Sequence, residues 1–294
     1  MSGPSSGGPP SGGSSSGGPP PTRARFAEVV RSEPLDLGLA CLLIGGEVER
    51  AFDVDRPLAV LDALTATARP HVPRGGGVRA AAEGLRVALG EQAGFAGFAE
   101  DYEDLRSSLL HEVLRRGRGL PLLLSVVWLE VAARLDVTAY AVGLPGHVLV
   151  GIGDPEDEHV LVDPFAGGRL LTLSEVEHRV RATTGRALLA ADLAPLPTAD
   201  LLLRLLTNVR VLTTRQAPSL AVARTRLWAV ELSLLLPRHP LDLRRERGEL
   251  LVRLGRHLAG AEELELYAMA VQDADTAASE QVRREARLAR AQLN

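Results

Sequence analysis

The 294-residue chain reads as an α+β protein: a helix-rich first domain carrying a small antiparallel sheet, followed by an all-α tail. Three observations predict this. Apolar residues recur at helical spacing over most of the chain, as in Leu124, Val127, Trp128, Val131 and Leu135, which stack as one stripe. Between Val137 and Val162 the period changes to three short β-rich runs. After Pro195 and Pro197 only paired helical patterns follow.

In order, residues 1–22 are almost wholly Ser, Gly and Pro, have neither a charged n-region nor an apolar h-region, and are expected to be disordered rather than a signal peptide. Helical patterns are expected over Leu35–Val48, Pro57–Ala68 and Val78–Leu89, separated by Pro70, Pro73 and Gly75–Gly77. Cys41, among Leu39, Ala40, Leu42 and Leu43, reads as a small buried hydrophobe. A helix over Leu105–Arg116 ends in Arg115, Arg116 and Arg118, the cations a helix C-terminus favours. The next helix, Pro121–Leu135, opens on a proline, whose missing N–H costs nothing in a first turn.

Strands are expected over Val137–Val142, His147–Ile152 and His159–Val162, joined by Leu-Pro-Gly and by the acidic turn Asp154–Glu158, with a further strand at Leu170–Leu173. Ser174 to Glu177 has the form of a capping box opening a helix to about Thr183. The domain boundary is placed at the prolines, giving domains of 23–194 and 195–294. The second contains helices at Asp200–Thr214, Leu220–Leu236, Leu241–Leu254, Ala259–Val271 and from Ala278 onward.

Composition narrows the function. A net charge of −4 gives no basic field for nucleic acid or an anionic membrane, and the longest apolar runs, such as Leu120–Leu129, are far shorter than a membrane span needs. One cysteine excludes an intramolecular disulfide framework and a multi-cysteine zinc site, which suits a reducing cytoplasm. All 33 basic residues are arginine, a bias expected of a GC-rich bacterial genome. No cofactor is implied.

The combination Leu109-Leu110, Val113 to Arg116, Gly119-Leu120-Pro121, the helix Ser125–Leu135, Gly143 to His147 and Asp163-Pro164-Phe165 with Gly167-Gly168 resembles the SirB-type transglutaminase-like family, from about Ser32 to the C-terminus. The resemblance implies a transglutaminase/papain-like core and a tetratricopeptide-like tail, to which Gly248, Gly255 and Tyr267 correspond. It also implies a site: a cysteine thiolate at a helix N-terminus, a histidine base on the next strand and an Asp or Asn orienting it. His147 and Asp163 match the second and third members, but the cysteine's place falls close to Pro121. Ser125, one turn further, is the nucleophile candidate inside the helix, although a turn's rise of about 5.4 Å is more than a serine Oγ makes up.

Two functional readings follow. The first is a non-catalytic module that binds a protein or peptide partner through its cleft and helical tail, with no nucleic acid and no membrane involved. The second is an amide hydrolase or acyl transferase using Ser125, His147 and Asp163. A metal site at His147, His159 and Asp163 is the weakest reading, because it needs His159 on the same strand face.

Overall fold

The computed structural model describes residues 21–49 and 51–292. The expectation of disorder over residues 1–22 therefore lies, except for Pro21 and Thr22, outside the described residues; those two open helix α1 (Pro21–Val29). Then come α2 (Leu37–Leu43), α3 (Asp55–Ala68), α4 (Gly77–Leu85), α5 (Leu110–Arg116) and α6 (Pro121–Arg134). The strands β1 (Ala139–Leu144), β2 (His147–Gly153), β3 (His159–Asp163) and β4 (Arg169–Leu171) form one antiparallel sheet in the order β1-β2-β3-β4. Helix α7 (Leu173–Thr184) covers it, and α8 (Thr198–Arg215), α9 (Leu220–Ser233), α10 (Asp242–Arg253), α11 (His257–Val271) and α12 (Thr276–Ala291) complete the chain. The α+β class is as the sequence predicts.

Element ends depart from expectation where local chemistry overrides periodicity. The first helical pattern ends early, giving way to a 3-10 turn over Ile44–Glu47 that contains Gly45 and Gly46. The pattern to Leu89 is α-helical only to Leu85 and continues as a π-helix over Arg86–Gln92. Leu109, extended at φ −122°, splits the expected Leu105–Arg116 helix into a 3-10 turn and α5. Strand β1 starts at Ala139 because Asp136 takes a left-handed φ of 58° and the Val137 N–H still donates to Ala132 at 2.9 Å. The capping box forms two residues earlier than predicted: Thr172 Oγ1 accepts from the Glu175 N–H at 3.3 Å and Glu175 returns the bond to the Thr172 N–H at 2.8 Å. That leaves β4 only Arg169–Leu171.

Helix α6 is buried well beyond the single stripe its spacing predicts, because apolar residues occupy nearly its whole circumference. Leu122 to Trp128 are all buried, with Trp128 at 0% exposure. Around α6 pack β1 and β2, α2, α3, α5 and α8. The sheet's two faces follow the pleat. Val148, Val150, Ile152 and Val162 join the α6 core, while Leu149, Leu161 and Leu171 pack with Val176 and Val180 of α7.

The same core runs on through Leu201, Leu202, Leu205, Leu206 and Val209 of α8 and Trp228 and Leu232 of α9. Helices α9 to α12 pack sequentially, each on the next, around two smaller clusters. Because α8 fills the main core, Leu205→Ala should cost about 2–5 kcal/mol in urea unfolding. Residues 23–194 alone should aggregate on size exclusion with light scattering. A monomeric fragment melting at the full chain's temperature would show that the helices contribute nothing to this core.

Candidate functional site

The turn Leu144-Pro145-Gly146-His147 connects β1 to β2 with Leu144 and His147 paired in register. Proline pre-sets the first central position and Gly146 takes the φ of +71° that the second requires, so the two-residue loop fixes His147 as the first residue of β2. Val150 pairs with Val162, which puts Asp163 diagonal to His147 and on the same face of the sheet. The two side chains meet: His147 Nε2 lies 2.8 Å from Asp163 Oδ1.

Asp163 is 1% exposed and its carboxylate is fully engaged. The Phe165 N–H donates to Oδ1 at 3.1 Å, since Asp163 caps the 3-10 turn Pro164–Ala166, and Arg179 Nη1 of α7 donates to Oδ2 at 2.8 Å. Burial alone would raise the carboxyl's pKa, but the hydrogen bonds and charges of His147 and Arg179 outweigh it and hold the group below the usual carboxylate range. Phe165 meets the imidazole edge-on at 5.9 Å between ring centres. It lies so close to Gly97 that a Cβ there would sit 1.9 Å from its ring.

His147 Nδ1 makes no hydrogen bond among the described residues. The histidine lines a cleft of about 160 Å³ together with Pro121 and Leu122 of the first turn of α6, Tyr102, and Arg204 and Asn208 of α8. Arg204 Nη2 donates to the carbonyls of Leu144 at 2.5 Å and His147 at 2.8 Å, so α8 clamps both ends of the turn.

Of the three residues the resemblance singles out, the fold therefore joins His147 and Asp163 and leaves Ser125 apart. Ser125 is 0% exposed, and its hydroxyl makes a long bond to the Val148 carbonyl at 3.3 Å. His159 lies at the far end of the sheet from His147, opposite Gly153, with Nδ1 against the Asp157 carbonyl at 3.1 Å, so the metal grouping of His147, His159 and Asp163 does not assemble. Arg116 and Arg118 are turned inward on the buried Asp101, at 3.4 and 3.0 Å, while Arg115 pairs with Glu112 at 2.6 Å. Cys41 is buried and its thiol pKa is pushed up by desolvation, as the sequence predicts of a packing residue.

Arg179 and Arg204 were not foreseen. Arg204 leaves a trace in the sequence, a lone cation inside Leu201-Leu202-Leu203-Arg204-Leu205-Leu206. Arg179 leaves none, since it sits among other charges on an ordinary amphipathic helix.

A histidine–aspartate pair on an antiparallel sheet, set beside the N-terminus of a buried helix, is the arrangement that the resemblance to transglutaminase-like proteins implies. The family profile of the Transglutaminase-like superfamily matches residues 56–207, and the chain belongs to that superfamily. It is similar to UPF0162 proteins. With one from Xylella fastidiosa it is 36% identical over 185 residues, 59% of this chain and 61% of the relative. With one from Pseudomonas aeruginosa it is 32% identical over 209 residues, 70% of this chain and 75% of the relative. F-box only protein 21 of Homo sapiens is 29% identical over 105 residues, 33% of this chain and 17% of that protein. The chain thus spans less than two thirds of the length of the Xylella relative.

Removing one partner from this buried network leaves the others unsatisfied, so Asp163→Ala should cost about 1–3 kcal/mol in chemical denaturation. The pH dependence has a definite sign. A carboxyl held below its unfolded value contributes stability that is complete above about pH 4, the ordinary aspartate range, and is lost as pH falls through the lower folded value. The stability gap between wild type and Asp163→Asn should therefore shrink as pH falls below about 4. A gap that widens as pH falls from about 4 contradicts the paired carboxylate.

Proposed function

We propose that this chain is a SirB-type transglutaminase-like protein that has no nucleophile at its site and acts as a protein- or peptide-binding module in the cytoplasm. The cleft beside His147 takes a segment of the partner, and residues 195–294, helices α8–α12, form a tetratricopeptide-like tail that widens the contact surface.

The observation that carries this reading is at the start of α6. Close to where the family's thiolate would be held by a helix N-terminus, the chain has Pro121, which has no side-chain nucleophile. Ser125 is sealed in the core with its hydroxyl on a backbone carbonyl, so it faces neither the cleft nor the imidazole. What is left is a polar, partly apolar groove able to hold a peptide without attacking it.

A second reading, an amide hydrolase or acyl transferase, draws on a different observation. His147 keeps Nδ1 unengaged beside the cleft while Nε2 is held by Asp163, the arrangement of a general base. In that reading the base activates a water, or Ser125 after a local rearrangement.

A fluorophosphonate probe separates the two, read by intact mass and by peptide mapping. Under the binding reading Ser125 stays unlabelled and a panel of glutamine and peptide amides is not turned over. Stoichiometric labelling of Ser125 that disappears in His147→Ala, or amide turnover that disappears with it, establishes the enzyme instead.

A further inference from the structure

The α8 wall of the cleft carries a charge without a counter-ion. Arg204, Asn208 and Arg215 lie along one stripe of α8 and line the opening with His147 and Pro121. The other charges there are matched. Arg215 pairs with Glu103 at 3.2 Å, Asp104 pairs with Arg106 at 2.9 Å and with Arg116 at 3.2 Å, and Asp101 pairs with Arg118 at 3.0 Å.

Arg204 has no carboxylate within 4.0 Å among the described residues. Only its Nη2 is used, on the two turn carbonyls, so Nε and Nη1 have no acceptor among the described residues. The Asn208 amide, one turn on, makes no hydrogen bond among them either. Burial holds the Arg204 guanidinium below its ordinary pKa, with Tyr102 the one group opposing that shift. With Nη2 spent on the turn, the side-on fork of Nε with Nη2 and the end-on fork of Nη1 with Nη2 are both broken, so the half-buried guanidinium offers an anion a single charged hydrogen bond and the Asn208 amide beside it can donate a second to the same carboxylate. The first turn of α6 adds the positive end of a helix dipole to the same opening.

We infer that the cleft takes a carboxylate-bearing peptide segment, with the carboxylate held by Arg204 and Asn208 and the adjoining peptide bond against His147. This rests on the peptide-binding reading above. The space favours a small residue: about 160 Å³ is on the order of the engineered cavity of about 150 Å³ that holds a benzene. Asp and Glu side chains and a peptide C-terminus offer the same group.

The test titrates the full chain by NMR with N-acetyl-L-alanine, N-acetyl-L-alaninamide, N-acetyl-L-aspartate α-amide and inorganic phosphate, following the His147 ring and Arg204 Nε signals. One of the two acids should shift both signals saturably, and the neutral amide should bind about tenfold more weakly or worse, since a charged hydrogen bond is lost. Preference for N-acetyl-L-alanine assigns a C-terminus, and preference for the aspartate amide assigns a side chain. Arg204→Met should abolish the shift. Because Arg204 also clamps the turn, Asn208→Leu serves as the second variant; it leaves the clamp intact and should weaken the acid about tenfold.

Equal binding of acid and amide, no saturable shift with either acid, phosphate binding more tightly than both, or an Asn208→Leu variant that binds normally would each overturn the carboxylate site. Equal binding leaves the peptide-binding reading standing. Hydrolysis of the amide, with the released acid then occupying the Arg204 site, upholds the carboxylate site and removes the non-catalytic reading.

Discussion

The site depends on how one buried carboxylate is satisfied. Asp163 is removed from water at the end of β3, where a bare charge would be strongly unfavourable, and three donors from three parts of the chain converge on it. His147 comes from the hairpin, Phe165 from the following turn and Arg179 from α7. Each donor fixes a neighbouring element: the hairpin against β3, the Asp-Pro-Phe turn against the loop at Gly97, and α7 against the outer face of the sheet. The imidazole is consequently held in one orientation whether or not it takes part in chemistry.

That arrangement needs support from behind, which α8 supplies. Its apolar side fills the core under α6 and its polar side reaches the Leu-Pro-Gly-His turn through Arg204, so one helix serves both stability and the shape of the cleft. The expected break at Pro195 and Pro197 lies in the irregular stretch before α8, and the hydrophobic core continues across it. Leu196 shows the continuity locally, its N–H donating to the Ala141 carbonyl of β1 at 2.8 Å.

Much of this was legible in the sequence because strong periodicity and turn chemistry agree. The apolar stripe and N-terminal proline of α6 and the Leu-Pro-Gly turn each state a local conformation that tertiary packing does not need to override. What was lost follows from the same logic. The Thr172 cap and the Ser174 cap are both plausible four-residue patterns, and only the pairing of β4 with β3 decides between them. Ser125 has the right side of the helix to be considered a nucleophile, yet the depth at which α6 sits depends on the elements packed around it. Arg204 reads as an intruder in a leucine run until the turn it clamps is known to lie beside it.

We propose that His147 is poised toward the N-terminus of α6, at a site short of a nucleophile. The most direct measurement is the thiol pKa of a Pro121→Cys variant, read from the pH dependence of its alkylation by iodoacetamide, with buried Cys41 contributing little background. The thiol should titrate well below the free value of about 8.5 and return toward that value when His147→Ala is added. A thiol that titrates like free cysteine, or one indifferent to the loss of His147, would contradict it.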